Sequence, residues 1–292
     1  MAHFEDLAIV LRSQPYKERD KLVTLLTENH GKISGIAKGS IHSKRYGGTL
    51  DLFACSHFRY KENPSPLVWI EEANLRKDFV GLRLKLESIS AAGYFVDLVN
   101  RLTEERHPAR EIFLLLAHYL TLLETQTATF EIVRSFEIKL LSRLGWAPVL
   151  EECVGCESPF FEQELAPEDS FVALTVERGG FLCPACASRE ARKIPLASLL
   201  WMIQARETKI QHTPSLNFPL DPMQEAANAL QHFLRWHCPG LGNYQFRSHS
   251  ILESFLMEAR NEASSTVVPA MAAVTTSPLA ADLTDEGSLS LT

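Results

Sequence analysis

Two C-x-x-C pairs, Cys153/Cys156 and Cys183/Cys186, constrain what this chain can fold into more than any other feature. Each pair sets two thiols on one tight turn, and four thiolates fill the tetrahedral shell of a Zn²⁺ ion. Between the pairs run Phe171-Val-Ala-Leu174, the turn residues Arg178-Gly-Gly180, and Phe181-Leu182 leading into Cys183. Strand, turn and second knuckle in that order make the pattern of a zinc ribbon, here over 150–190. A C-x-x-C also serves thioredoxin-type redox chemistry. That motif opens a helix after a strand and comes alone, whereas here two matched pairs bracket a hairpin. A shell closed by four thiolates leaves no position for water or substrate. The expectation is one structural Zn²⁺ on Cys153, Cys156, Cys183 and Cys186, with the activity elsewhere.

The 292 residues suffice for roughly two domains. Six cysteines without a signal peptide point to a reducing cytoplasm, where paired thiols bind metal and do not form disulfides. Cys55 and Cys238 are left over and read as small buried residues. The most apolar run, Ile112 to Leu123, contains His118 and falls well short of the ~20 residues a bilayer needs, so it reads as a core helix and no membrane span is expected.

A net charge of −7 argues against an anionic partner, but its distribution does not. Residues 1–61 hold ten basic against six acidic side chains, a net +4, which leaves −11 for the other 231. The basic segment also has its own architecture. Ala8–Arg12, Leu22–Thr27, Lys32–Ala37, Leu50–Tyr60 and Leu67–Glu71 read as strands separated by turn residues such as Asn29-His-Gly31 and Asn63-Pro-Ser-Pro66. Five short strands at this spacing predict a small closed barrel over 1–78, either the oligonucleotide/oligosaccharide-binding (OB) fold or an SH3-like one.

From Phe79 the apolar period changes from two to 3.6, and 79–149 with 191–255 read as an α-helical body interrupted by the zinc module. Pro108 is expected to open a second helix, Gly145 to stop a third that starts near Phe130, and Asp221-Pro222 to cap a later one. Residues 263–292 are rich in Ala, Ser, Thr and Pro, lack aromatics, and are expected to be a disordered tail. The fold class is therefore α+β and multidomain.

No local motif calls for catalysis. Lys38-Gly39-Ser40 lacks the Gly-Lys-Ser/Thr order of a phosphate-binding loop, and no H-E-x-x-H or G-x-S-x-G occurs. Glu151-Glu152 reads as a solvated approach to the first knuckle, and His237-Cys238 as the end of a helix. A barrel with basic loops and aromatics instead suits single-stranded nucleic acid, since cations track phosphates while rings stack bases. The candidate DNA-binding residues are Lys17, Arg19 and Lys21 between the first two strands, Lys32 on the third, and Lys38, Lys44 and Arg45 after it. Of Tyr46, Phe58, Tyr60 and Trp69, the last three are expected in the core.

The order of barrel, helices, four-cysteine module and returning helices resembles the RecO family of bacterial DNA repair and recombination mediators. The resemblance covers 5–255 and is carried by Ala8–Arg12 followed by Tyr16–Lys21, by Gly31-Lys32, Ile36–Gly39 and Leu50–Phe53, and by Arg143-Leu-Gly-Trp-Ala-Pro148 leading into Cys153. It implies a non-enzymatic OB-fold protein that binds single- and double-stranded DNA and anneals complementary strands. With its partner RecR, such a protein helps load RecA onto DNA coated by the single-strand-binding protein, whose acidic C-terminal tail docks on the helical body. It would act in the bacterial cytoplasm and on the nucleoid when engaged with DNA. The long tail and the acidic total depart from the family pattern. The alternatives are an RNA-binding or transcription-associated protein built from the same parts, and a metal-dependent nuclease or other hydrolase.

Overall fold

The computed structural model describes residues 2–160, 171–188, 191–238, 241 and 246–266. Strands β1 (His3–Tyr16), β2 (Asp20–Thr27), β3 (Gly31–Ala37), β4 (Cys55–Lys61) and β5 (Val68–Lys77) close into a barrel in the order β1-β2-β3-β5-β4. Only β3 and β5 run parallel; the other neighbours, β4 with β1 included, are antiparallel. This is the Greek-key closure of the OB fold. Period-two alternation splits β1 between two cores. Ala8 and Val10 fill the barrel with Val23, Leu25, Ile33, Phe58 and Ile70, while Ile9 and Leu11 join the core of the helices.

One expected strand is shorter than its sequence suggests. Leu50–Tyr60 is extended only from Cys55, because Gly48 and Phe53 both take left-handed backbone, at φ 74° and 75°. The residues before it form a 3₁₀ turn, Lys44–Tyr46, and further tight turns, which push Tyr46 and Leu50 into the barrel.

A second 3₁₀ turn, Val80–Leu84, leads into α1 (Leu86–Leu102), followed by α2 (Arg110–Thr125) and α3 (Phe130–Arg143). Pro108 lies ahead of α2 and does not open it, since Ala109 is the N-cap. Thr129 caps α3 by accepting from the Ile132 N–H, and Gly145 (φ 74°) ends it. There the Trp146 N–H donates to Leu141 O (2.8 Å) and the Gly145 N–H to Ser142 O (3.1 Å), a left-handed stop in which only glycine avoids strain. Helices α4 (Leu196–Glu207), α5 (Leu220–His237) and α6 (Arg247–Thr266) complete the body. α5 starts one residue before Asp221, with Pro219 as N-cap, so the Asp221 charge complements the helix dipole without capping it.

The body core centres on Phe95 and Phe136, stacked at 3.9 Å, with Tyr119 edge-on to both. α6 is joined to α1 and α3 by a buried polar network. Glu137 accepts from the Tyr94 hydroxyl (2.6 Å) and from Arg134 (2.7 Å), which also bonds Glu253 on α6 (2.5 Å). α6 thus continues to Thr266, four residues into the segment expected as a tail; residues 267–292 lie outside those described.

Between α3 and α4, β6 (Phe171–Thr175), β7 (Gly180–Leu182) and β8 (Arg192–Pro195) form an antiparallel sheet in the order β7-β6-β8. Its Val172, Phe181 and Ile194 belong to the same apolar cluster as the helices, so the module shares the body's core. Among the described residues no helix is long and apolar enough to cross a membrane.

Candidate metal centre and nucleic-acid interface

The two cysteine knuckles meet at one end of the β6–β7 hairpin. The Val154 N–H donates to Phe181 O and the Phe181 N–H to Val149 O (2.9 and 2.8 Å), which sets the first knuckle beside β7. Glycine is required at both contacts: a Cβ on Gly180 would lie 2.4 Å from Val149 O, and one on Gly155 would lie 2.9 Å from the Cys186 Cβ. The Sγ atoms of Cys153, Cys156, Cys183 and Cys186 all fall within 4.8 Å of one another. Cys156 and Cys183 sulfurs are 3.8 Å apart, the edge of a tetrahedron whose metal–sulfur bonds are about 2.3 Å.

The charge balance of the cluster also suits a cation. Hydrogen bonds from Ser158, side chain and backbone, hold the Cys156 thiol down at about 6. Burial pushes the Cys153 thiol up, but hydrogen bonds from the Cys183 and Gly155 N–H groups outweigh it and leave the thiol below its usual range. The Cys186 thiol is pushed up to about 12 by hydrogen bonding with the Cys183 and Cys156 sulfurs. Negative charge thus gathers until the last thiol keeps its proton, and a bound cation removes that penalty. These four residues can hold a metal ion. Neither neighbouring candidate joins them: His237 Nε2 donates to Val176 O (2.9 Å), and Glu151 is ion-paired with Arg206.

The basic residues of the barrel converge, although the sequence separates them into two loops. Gly39 N–H donates to Asp20 Oδ1 (2.8 Å) and Ile41 N–H to Arg19 O (3.0 Å), which ties the exit of β3 to the β1–β2 turn. Lys17, Arg19, Lys38, Lys44 and Arg45 are exposed along this rim, with no carboxylate partner among the described residues. Lys17 is itself left-handed at φ 56°. Lys21 is partly covered and pairs with Asp51 at 3.6 Å. The β4–β5 connection lies at the opposite end, where Arg106 reaches Glu62 and Pro66 O while its own N–H donates to Lys32 O.

Lys32 does not belong to this group. It is buried at the other end of the barrel, where its Nζ donates to Asn100 O and Thr103 O, both at 2.6 Å, and caps the C-terminus of α1. Burial lowers its pKa, with Glu105 pulling the other way. No phosphate can reach it there without breaking the junction between barrel and body.

The aromatics also divide differently from expectation. Phe58 and Tyr60 are core as expected, and Tyr46 joins them, its hydroxyl donating to Ile70 O (3.1 Å). Trp69 instead faces outward and is only partly buried, with Lys38 Nζ 3.8 Å and Lys61 Nζ 5.1 Å from its ring centre. The signal was present in the alternation of Val68, Trp69 and Ile70, whose outer two members point inward. Lys61 was missed as well. It pairs with Glu71 (3.2 Å), which also bonds His3 (3.0 Å). Desolvation pushes the Glu71 carboxyl up, but hydrogen bonds from Lys61 and His3 bring it below the usual range.

Comparison with known proteins bears on the whole chain. Residues 1–79 match the family model for the N-terminal part of recombination protein O, and residues 83–243 match that for its C-terminal part. The chain belongs to the RecO family. A relative from an Anaeromyxobacter species (strain Fw109-5) is 33% identical over 233 residues, which is 78% of this chain and 89% of the relative. One from Syntrophus aciditrophicus is 29% identical over 231 residues, 77% and 87% of the two chains. One from Myxococcus xanthus is 33% identical over 207 residues, 68% and 80%. All three are described as DNA repair protein RecO. Membership is consistent with DNA repair and recombination mediation.

Proposed function

We propose that this protein is a non-enzymatic recombination mediator. In this reading it binds single- and double-stranded DNA at the barrel rim, anneals complementary strands and, with RecR, helps load RecA onto DNA coated by the single-strand-binding protein. The observation that carries this is the convergence of Lys17, Arg19, Lys38, Lys44 and Arg45, all exposed and without carboxylate partners among the described residues, on one rim of an OB barrel in a RecO-family chain. Cations so placed neutralise phosphates and release condensed counterions, which supplies affinity without reading sequence. They also screen the repulsion between two strands brought together, as annealing requires. The helical body is the side on which the acidic tail of the single-strand-binding protein would dock. Its place of work is the cytoplasm, on nucleoid DNA.

For the cysteine cluster we infer one Zn²⁺ as resident ion. Four thiolates at tetrahedral spacing are its preferred structural shell, and the metal would contribute folding energy and take no part in chemistry.

The decisive experiment is annealing of complementary strands coated with the cognate single-strand-binding protein, with and without RecR. The expected result is accelerated annealing, stimulated by RecR, with both strands intact in Mg²⁺. Strand cleavage, or much tighter binding to RNA than to DNA of equal sequence, would overturn this reading.

A further inference from the structure

Across the outer face of the barrel, one row of residues runs through four strands in register: Leu22 on β2 opposite Ile36 on β3, Ile36 opposite Trp69 on β5, and Trp69 opposite Lys61 on β4. All four are partly exposed, while Val23, Ala37, Val68 and Ile70 beside them point into the barrel. Outward aliphatic side chains here would be ordinary sheet surface. An outward indole flanked by two lysines is not, because the ring leaves part of a flat π face at the rim where the free cations gather.

The two lysines differ in what holds them. Lys61 is anchored by Glu71 (3.2 Å), so its position is fixed by an ion pair. Lys38 lies closer to the ring, at 3.8 Å, and has no carboxylate partner among the described residues. A cation–π contact at an exposed site is weak and exchangeable. A phosphate offers the Lys38 ammonium a stronger partner, and a base offers the ring a stronger one. The strand-2/strand-3 face and adjoining loops are also where OB barrels take oligonucleotides.

We propose that the Trp69 indole is the platform on which this protein stacks an unpaired base of single-stranded DNA, and that Lys38 moves from the ring to the strand's phosphate as the base arrives. This rests on the barrel being the DNA-binding module and adds a discrimination to it. Phosphate contacts alone treat single strands and duplexes alike, whereas a stacking platform needs a base that is free of its partner.

The test uses the full-length protein with oligo(dT), an abasic strand of equal length, and a duplex. Trp69→Ala should weaken oligo(dT) binding about tenfold and leave the abasic strand and the duplex unchanged, and Trp69→Phe should keep most of the affinity. Tryptophan emission should be quenched when oligo(dT) is added to the wild type, and the quench should vanish in Trp69→Phe, which retains the other three tryptophans. Unchanged oligo(dT) affinity in Trp69→Ala would overturn the proposal, and so would equal losses on all three ligands, which mark a merely structural role. If Trp69→Ala does not fold, a quench that persists in Trp69→Phe overturns it alone. Wild-type protein that binds none of the three DNAs would sink the DNA reading itself, a result distinct from the others.

Discussion

Lys32 and Lys38 stand at opposite ends of β3, six positions apart, and the molecule uses the same side chain in opposite ways. Lys32 commits its ammonium to carbonyls at the end of α1 and is largely buried. Lys38 lies over an indole with no carboxylate to hold it. The difference comes from what surrounds each end. At the Lys32 end Gly31 packs against the His107 backbone, the Arg106 N–H donates to Lys32 O (2.8 Å), and Glu28 pairs with Arg110 (2.9 Å), so every group serves to seat the barrel. At the Lys38 end no ion pair from the body reaches Lys17, Arg19, Lys38, Lys44 or Arg45 among the described residues, and in the proposed reading these cations remain for a ligand. On the proposed function, one end of the barrel serves assembly and the other recognition.

Substitutions can break this division or sharpen it. The largest effect is expected outside both ends. Cys153→Ser should release the metal and destabilise the helical body by several kcal/mol, on the order of what a lost structural metal costs, with metal content and urea melts as the readout. Its DNA salt dependence should stay unchanged under conditions where it remains folded. At the seat, Gly31→Ala would place a Cβ 1.9 Å from His107 O on a backbone at φ 70°. A loss of about 3 kcal/mol or more is expected by denaturant titration, from strain and lost packing together. An unaffected midpoint would show that the barrel can leave the body freely.

At the rim, Lys38, Lys44 and Arg45 changed together to Ala should leave the melt intact and lower the slope of log K against log salt by about two to three, one phosphate contact per residue. An unchanged slope would place the DNA footprint elsewhere. The smallest effect is expected for Lys32→Met, which leaves two buried carbonyls without a donor. It should cost about 1–3 kcal/mol of stability and leave the salt slope unaltered. A fall in slope with no loss of stability would reverse the assignments of Lys32 and the rim.

Much of this was legible in the chain itself. The two C-x-x-C pairs named their own cluster because each knuckle is local, fixed by residues two or three apart such as Gly155 and Ser158. The strands and helices showed through their periods and Gly145 marked its helix stop, whereas the Thr129 cap and the outward-facing Trp69 of the Val68–Trp69–Ile70 alternation were present in the chain but went unread. Leu50–Phe53 misled because apolar residues in tight turns resemble a strand until the left-handed backbone at Gly48 and Phe53 is known. Tyr46 and Trp69 exchanged places for a similar reason, since an aromatic's burial depends on which way its backbone faces.

The amino-acid sequence by itself determined the parts: a five-stranded barrel, an amphipathic helical body and a four-thiol cluster, all set by short-range spacing and alternation. Only the tertiary structure decided how the charges are spent. Whether a lysine binds a helix end or a phosphate depends on which carbonyls and carboxylates lie within about 3–4 Å of its nitrogen. For Lys32 those carbonyls belong to residues 68 and 71 positions away. No local pattern encodes that distance, because it is set by the packing of the barrel on the helices.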